Sequence, residues 1–464
     1  MTSTLLSRSD IAYWDKDGQP LNVVGKTVFV LIVVYLVMNR VIPDVMVLPI
    51  GFSLRPYEVV MAMIIGGWMV WMITEPHPLP TGLVGVVGLA LLSILTLAPF
   101  LNGLGLSLYQ SNGAERGLFR LFLLSGLFMA SYHLGYRLRY GHKLLAWVIA
   151  VTVFQAVLGI YEFIIKEPLT FIFDFSRNIG LVFDPNAIRT ELTNIFARQS
   201  GELRATTTAP HPIVLSSVIA LSVLLVGVWL IYTNNSKVRR WLAVAGGVLV
   251  VALPVANSRT AFVMLAVAAL PLAILMIDKL PKLVVWSLAV VLAFGMAFAL
   301  SPQTPRLLLD SVTRSSEDQN TQIRLERFDR LPELLAPRPI LGAGYLTHDP
   351  EIQIFDNAYN LGLIEFGILG LIFMIWWFLI ALVRSWSATL WATSKEKILT
   401  IAGVVTVISL LAASATFDAW TFDQFFPTCL VVLGLALGRS DVVLRRERRW
   451  SRPTESEFDP AVTA

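Results

Sequence analysis

Long apolar runs recur along almost the whole chain and constrain its fold more than any other feature. Crossing a hydrocarbon core of about 30 Å takes roughly 20 apolar residues in a helix. Because lipid offers no hydrogen-bond partners, only helices and closed barrels can span a bilayer. The runs are continuous, whereas barrel strands are short and alternating. With 56% hydrophobic residues and a mean hydropathy of +0.69, the chain is predicted to be an all-α polytopic membrane protein.

We predict about twelve transmembrane helices from these runs. The predicted spans are residues 23–42, 56–74, 81–99, 116–133, 143–165, 211–232, 238–256, 259–277, 281–300, 358–383, 396–415 and 423–438. They divide the chain into an N-terminal segment at 1–22, a transmembrane domain at 23–438 and a basic tail at 439–464. The first run is long and follows a polar segment, so we expect an uncleaved anchor rather than a signal peptide.

Basic residues are concentrated in alternate short connections between the spans. Lys and Arg are enriched in the cytoplasmic loops of membrane proteins. An even number of spans places all these connections and the tail on one side, which predicts that both termini are cytoplasmic. The basic residues of this side are Arg137, Arg139, Lys143, Lys237, Arg239, Arg240, Lys279, Lys282, Arg384, Lys395, Lys397, Arg439, Arg445, Arg446, Arg448 and Arg449.

The two long connections, at about 166–210 and 301–357, fall on the opposite, extracytoplasmic side. Their basic residues are almost all Arg, and only Lys166 is a lysine. Arg presents a planar fork that can bind phosphate through two parallel hydrogen bonds, whereas Lys presents a point charge. The pattern therefore indicates phosphate binding. The alternative is that these side chains only extend into the lipid headgroup region.

The sequence gives no support for a metal, a nucleotide or a disulfide framework. The single cysteine, Cys429, lies inside the last predicted span. The five histidines are scattered, and only His211 and His348 face outward. No Gly-rich phosphate loop occurs. We predict no metal and no cofactor. We also predict no nucleic-acid partner, because a basic tail at the membrane surface accounts for the net charge of +4.

Three predicted spans begin on the outward side directly after polar residues. The preceding stretches are RATTTAPHP (204–212), NSRTA (257–261) and FDNAY (355–359). Helix N-termini carry a positive partial charge, so these ends favour an anion. Arg259 lies in a first helical turn, where a cation opposes the helix dipole at a cost of roughly 0.3–1 kcal/mol. We therefore expect an anion near Arg259, unless its side chain reaches a lipid phosphate instead.

The same residues carry a resemblance to a known family. Asp356-Asn357 is followed after nine residues by Gly367 and after two more by Gly370. RLERFDRLPELLAPRPILGAGY (324–345) supplies an Arg, aromatic residues and a Pro-x-x-Gly-x-Gly segment, and NSRTA supplies a Ser-Arg helix start. Together with Arg204 and the His-Pro pair at 211–212, these motifs resemble the O-antigen ligase and O-antigen polymerase superfamily. The resemblance covers about residues 200–370.

This resemblance implies a GT-C-like membrane glycosyltransferase in the cytoplasmic (inner) membrane of a bacterium, with its active site on the extracytoplasmic face. The implied donor is a polyprenyl-diphosphate-linked glycan, and the implied acceptor is another glycan, free or lipid-linked. Membrane lipids and other polysaccharide assembly proteins are further expected partners. Arg204 and Arg259 resemble the family's phosphate-binding arginines, with Arg324 as a third. His211 and Asn357 are expected to contact substrate.

The catalytic base is expected at Asp356, because the family's ligases carry a His at this position of the motif. A carboxylate is a weaker base than imidazole, but desolvation at a membrane surface raises its pKa. Asp is also a preferred helix N-cap, so a structural role for Asp356 is the competing interpretation. His348 is the alternative base. Glu365 lies inside the tenth predicted span and is interpreted as structural or channel-lining. The segment 321–335 is predicted to be an amphipathic interfacial helix that Pro332 kinks or ends.

Three functions compete at this point. A polymerase joins lipid-linked repeat units into a surface polysaccharide by inverting glycosyl transfer, and a ligase moves a finished glycan to another acceptor. We favour the polymerase because Asp replaces the motif His of the ligases. A flippase or transporter of lipid-linked glycans would need ionisable groups along the membrane interior, and the centres of the predicted spans are nearly free of them.

Overall fold

The computed structural model describes most of the transmembrane domain. The described residues are 20–49, 54–75, 79–80, 83–102, 106–166, 169–183, 205–256, 258–282, 284–288, 291, 328–348, 355 and 357–450. Of the predicted site residues, Arg259, His211, His348 and Asn357 fall within these ranges. Arg204, Arg324 and Asp356 lie outside them.

The described part of the chain is almost entirely helical, which confirms the predicted fold class. The helices are α1 (Val23–Val41), α2 (Pro56–Thr74), α3 (Leu83–Asn102), α4 (Leu108–Gly135), α5 (Leu138–Ile165), α6 (Thr170–Asn178), α7 (Pro212–Tyr232), α8 (Ser236–Ala252), α9 (Arg259–Leu275), α10 (Ala358–Trp391), α11 (Ser394–Ser414) and α12 (Phe426–Trp450). Two short strands, β1 (Met46–Val47) and β2 (Val182–Phe183), pair antiparallel.

Ten of the described helices are long and apolar enough to cross a membrane. An eleventh span results if α9 is joined to the bent segment Ile277–Leu288 that follows it. The predicted span at 281–300 lies mostly outside the described residues, so the count of twelve stays a prediction. A short helical stretch covers 328–335 and runs past Pro332, while the rest of the predicted interfacial helix lies outside the described ranges.

Helices α7, α11 and α12 form the centre of the bundle. Within their apolar windows, 89%, 83% and 89% of the residues are buried, compared with 33% for α3 and α10. The outer helices therefore present most of their apolar surface to lipid. Because lipid is as apolar as the helix surfaces, the hydrophobic effect does not drive helices together in a bilayer, and close packing of small residues stabilises such contacts instead. At the crossing of α4 and α12, a Cβ added to Gly438 would lie 2.0 Å from the carbonyl oxygen of Tyr132.

Ion pairs between helices gather at the two ends of the bundle. At one end, Arg137 pairs with Glu75, Arg384 pairs with Asp441 at 2.5 Å, and Glu396 binds both Arg439 and Arg446. The basic-loop pattern assigns all these residues to the cytoplasmic side. At the other end, Asp423 pairs with Arg55 and Arg120, and these residues fall on the predicted outward side. These pairs agree with the predicted alternation of the spans.

Replacement of Gly438 by Ala is expected to destabilise the bundle, because the added Cβ meets the backbone of α4. Overpacking of this kind typically costs about 1–3 kcal/mol. Gly247→Ala in α8 is the matched control, since its Cβ meets nothing within 4 Å. Thermal unfolding in detergent should show a lower Tm for Gly438→Ala and an unchanged or higher Tm for Gly247→Ala. Equal Tm values would contradict close backbone packing of α4 and α12.

Candidate functional site

Helix α10 is broken near its N-terminal end. Gly367 has φ 67° and ψ −179°, so the backbone leaves helical geometry there and resumes it at the next residue. The break lies about two and a half turns inside a span that is apolar enough to cross the membrane. A helix break frees N–H and C=O groups, and these groups must find partners because lipid provides none.

The partners of the break come from the segment 338–344, the Pro-x-x-Gly-x-Gly motif region of the sequence. Two amides of α10 donate to carbonyls of this segment, and two amides of the segment donate back to carbonyls of α10. The four bonds are Ile368 N to Pro339 O (2.9 Å), Leu369 N to Ile340 O (3.1 Å), Ala343 N to Ile364 O (3.2 Å) and Gly344 N to Glu365 O (2.8 Å). We call this arrangement the interlock of 338–344 with 364–369.

Two glycines make the interlock possible. Gly342 and Gly367 both have positive φ values, of 66° and 67°. A Cβ on Gly367 would lie 2.3 Å from the oxygen of Ile340, and a Cβ on Gly342 would lie 2.3 Å from the oxygen of Glu365. A side chain at either position would meet both a strained backbone conformation and a backbone clash. The Pro-x-x-Gly-x-Gly segment and the region around Gly367 lie apart in the sequence, and in the structure they contact each other through their backbones.

Glu365 attaches the end of this segment to α10. Its side chain is buried, and its Oε1 accepts a hydrogen bond of 3.4 Å from the backbone N–H of His348. The His348 ring packs against Phe355 with 5.2 Å between ring centroids. Phe355 directly precedes Asp356 in the sequence. The structure therefore brings His348 next to the chain segment that carries the other candidate base, and it supports a structural role for Glu365.

The N-cap of α10 is Asn357. Its Oδ1 accepts a hydrogen bond of 2.8 Å from the N–H of Tyr359, and its Nδ2 donates to the oxygen of Ala415 at 3.4 Å. The interpretation of Asp356 as the N-cap was therefore wrong, because the cap lies one residue further along the chain. The expected substrate contact of Asn357 stays a prediction.

The starts of α7 and α9 lie at the same end of the bundle as the start of α10. His211 is half-buried and caps α7, because its Nδ1 accepts from the N–H of Ile213 at 3.2 Å. Ala205, which directly follows Arg204, donates to the oxygen of Val255 at 3.4 Å. The segments that carry Arg204 and Arg259 are therefore brought together. Arg259 is exposed at the first residue of α9.

A threonine turn between Arg204 and α7 is bound into the bundle by polar groups of α5. The buried carboxylate of Glu162 accepts hydrogen bonds from the amides of Thr206 (3.1 Å) and Thr207 (2.7 Å). Gln155 donates to the Thr208 hydroxyl at 3.2 Å. Thr207 has a φ of 55°, which is uncommon for a β-branched residue. The turn is therefore held in a fixed shape on the Arg204 side of the site.

A charged cluster that was not predicted from the sequence lies at the outward ends of helices other than α7, α9 and α10. Asp423 pairs with Arg55 and with Arg120 (2.5 Å), and it accepts a hydrogen bond of 2.8 Å from the Tyr57 hydroxyl. The buried guanidinium of Arg40 donates hydrogen bonds to uncharged acceptors on residues that follow Asp423 in the sequence. One of these acceptors is the carbonyl oxygen of Gln424, at 2.6 Å. The available signal was the short stretch FDAWTFDQFF (417–426), which places two Asp residues between two apolar runs.

This cluster contacts the segment that reaches the interlock. The Arg120 guanidinium lies over the ring of Tyr345 at 5.8 Å, and the Tyr345 hydroxyl donates to the carbonyl oxygen of Trp420 at 2.8 Å. Asp418, two residues before Trp420, is half-buried and accepts a hydrogen bond from the Thr421 hydroxyl. Burial raises the pKa of Asp418 to about 7, and the Thr421 hydroxyl and the Arg120 charge oppose the rise.

Asp418 is expected to make stability depend on pH near neutrality. Its folded pKa of about 7 lies above the ordinary value, so between these two pKa values the folded state binds more protons than the unfolded state. This contribution to stability is therefore lost as pH rises through about 7. Asp418→Asn removes the titration and keeps an acceptor for Thr421. When Tm is measured from pH 5 to 8, the Tm of Asp418→Asn should rise relative to the Tm of the wild type as pH rises. A Tm difference that does not depend on pH would contradict the raised pKa of Asp418.

Comparison with known proteins places this region in context. Residues 244–375 match a family model described as O-antigen ligase, and no curated protein matches the chain. The matched region contains the start of α9, the segment 338–344 and the break of α10. It covers a little over a quarter of the chain. The match confirms the resemblance to the O-antigen ligase and polymerase superfamily that the motifs indicated.

Proposed function

We propose that the protein polymerises polyprenyl-diphosphate-linked repeat units by inverting glycosyl transfer on the outer face of the cytoplasmic membrane. The observation that carries the proposal is the interlock of 338–344 with 364–369. It joins two of the family-like motifs, and it holds His348 against the residue that precedes Asp356. A rigid support of this kind suits a catalytic base, because small displacements of a reacting group cost large factors in rate.

The proposed reaction is a direct displacement at the anomeric carbon of the donor glycan. The acceptor hydroxyl oxygen forms a bond to this carbon while the bond from the carbon to the diphosphate oxygen breaks. The electron pair leaves with the polyprenyl diphosphate, and the hydroxyl proton passes to a base of the protein. Attack from the face opposite the leaving group inverts the configuration. Such a hydroxyl is a poor nucleophile until a positioned base accepts its proton.

The leaving diphosphate gathers negative charge, which preorganised cations and helix N-termini stabilise. Arg204 and Arg259 are proposed to bind it, with Arg324 as a third contact and His211 nearby. The bond between Ala205 and Val255 supports a shared role for the first two, because it holds their segments together. In this scheme arginines supply the charge stabilisation, so the proposed transfer is independent of a metal.

Asp356 is the proposed base, and His348 is the alternative. The capping of α10 by Asn357 supports this choice, because the helix does not need Asp356 as its cap. Asn357 would then fix the start of α10 directly beside the reacting groups. A carboxylate base is common in inverting glycosyl transfer, and burial at the membrane surface raises its basicity.

Ligase-type transfer is the second candidate, favoured by the description of the matching family model. Transport of lipid-linked glycans is the third. Purified protein in vesicles should be given single lipid-linked repeats and no other acceptor. A polymerase forms a ladder of longer lipid-linked glycans, a ligase forms new bonds only after a different acceptor is added, and a flippase moves repeats across the vesicle membrane without forming bonds. Absence of a ladder would contradict the polymerase.

Asp356→Asn is expected to abolish most transfer without unfolding the protein, because Asn cannot accept the proton. General-base catalysis typically contributes 10²–10⁴-fold to the rate, so kcat should fall by about this factor. The Tm should stay unchanged, since Asn357 caps α10.

Asn357→Ala is the matched control on the neighbouring residue. Loss of an N-cap costs about 1 kcal/mol, so this variant should lower the Tm. If Asp356→Asn keeps normal turnover while His348→Gln loses it, the base is His348.

A further inference from the structure

An elongated apolar cavity lies beside the candidate site. Its volume is about 490 Å³, within the range of about 300–1,000 Å³ that is usual for ligand pockets. It is bounded by α3, α4, α10 and α12, with Tyr345 and Trp420 at one end. The side chains that line its length are almost all aliphatic or aromatic, and they include Leu92, Phe128, Met374 and Trp377.

The shape and surroundings of this cavity suit a hydrocarbon chain. Its α3 wall extends from Val84 to Leu95, about 16 Å at 1.5 Å per residue. Val86 and Leu89 belong to this wall and are 66% and 68% exposed on the surface of the bundle. Since this surface lies in the membrane, the cavity opens sideways to lipid. A chain can therefore enter from the bilayer without crossing water.

Polar groups at the Tyr345 and Trp420 end suit an anion. The Arg120 guanidinium lies over the Tyr345 ring, and it shares Asp423 with a second guanidinium, that of Arg55. Within the described part of the chain, the Nε of Arg120 and the Nε1 of Trp420 are buried N–H groups here without an acceptor, and Asp418 Oδ1 is a buried acceptor without a donor. Arg120 contacts Tyr345 and does not itself line the cavity. Buried donors without acceptors are costly, and a phosphate oxygen would satisfy them.

The same end of the cavity adjoins the segment that carries His348, the alternative base. Phe366 and Tyr345 line the cavity, and they flank the interlock that supports His348. The proposed donor-binding segments lie elsewhere. Ala205, which follows Arg204, bonds to Val255 shortly before the start of α9, and α9 packs mainly against α7 and α11. The segment that carries His348 therefore adjoins the cavity, while the proposed donor-binding segments lie in a separate region around α7 and α9.

We infer that this cavity holds the polyprenyl chain of the acceptor substrate, with its diphosphate near Arg120 and Trp420. The inference rests on the proposed polymerisation, which needs two lipid-linked substrates at once. The donor diphosphate binds on the α7 and α9 side, the acceptor lipid binds on the α3 and α4 side, and the acceptor hydroxyl reaches the base between them.

Leu92→Trp tests this assignment by filling the cavity, and Leu97→Trp is its control. Leu97 lies on the same helix, is 53% exposed and does not line the cavity. Two acceptors carry the same repeat unit, one on a polyprenyl chain through a non-transferable phosphonate and one as a water-soluble methyl glycoside. Wild-type protein and Leu97→Trp should prefer the polyprenyl acceptor by at least tenfold in KM. Leu92→Trp should lose that preference, so that its KM values for the two acceptors become similar.

A binding measurement keeps the test independent of turnover. A glycan-free polyprenyl diphosphate with a photoreactive diazirine on its chain should label peptides of α3 and α4 in the wild type and in Leu97→Trp. Leu92→Trp should lose this labelling. Labelling confined to α7 and α9, or equal acceptor KM values in the two Trp variants, would overturn the cavity assignment. A wild-type protein that labels at α3 yet forms no glycosidic bond would instead overturn the proposed function.

Discussion

A helix can break inside a membrane only if the freed backbone groups find partners, and this requirement organises the site. At Gly367 the partners are amides and carbonyls of 338–344, so the outward connection before α10 is drawn into the bundle. His348 follows this segment, and Tyr345 within the same connection closes the apolar cavity. The positions of His348 and of the lipid-sized cavity thus depend on four backbone hydrogen bonds and two glycines.

The interlock also shows which residues of the family-like motifs have a structural role, and this distinguishes them from the residues proposed to take part in the reaction. Gly342 and Gly367 serve the backbone contact, and Asn357 serves as a helix cap. None of these three residues supplies a charge or a base. The chemistry proposed for the motif region therefore rests on Asp356 or His348, together with arginines from other connections. A sequence that keeps the glycines and changes the residue before Asn357 can keep the architecture and alter the reaction.

Hydropathy predicted most helix positions because lipid imposes a minimum apolar length on every span. The span at 56–74 coincides with Pro56–Thr74. The fourth begins at Leu108 rather than 116, because the polar residues Gln110, Asn112 and Glu115 lower the hydropathy of its first two turns. Pairings such as Tyr57 with Asp423 join residues 366 positions apart, and no local pattern indicates them. The break of α10 was missed for the same reason, since its partners come from a distant loop.

Helix α12 and the loop before it have a consequence for biogenesis. This last described part of the chain supplies Asp423 to Arg55 and Arg120, Arg439 to Glu396, and Asp441 to Arg384. Membrane proteins are synthesised from the N-terminus, so the earlier helices enter the bilayer while these charges still lack their partners. A buried charge without its partner destabilises a fold by several kcal/mol, about 3–5 in measured cases. Insertion of α12 is therefore the step at which these buried charges of the earlier helices gain their partners.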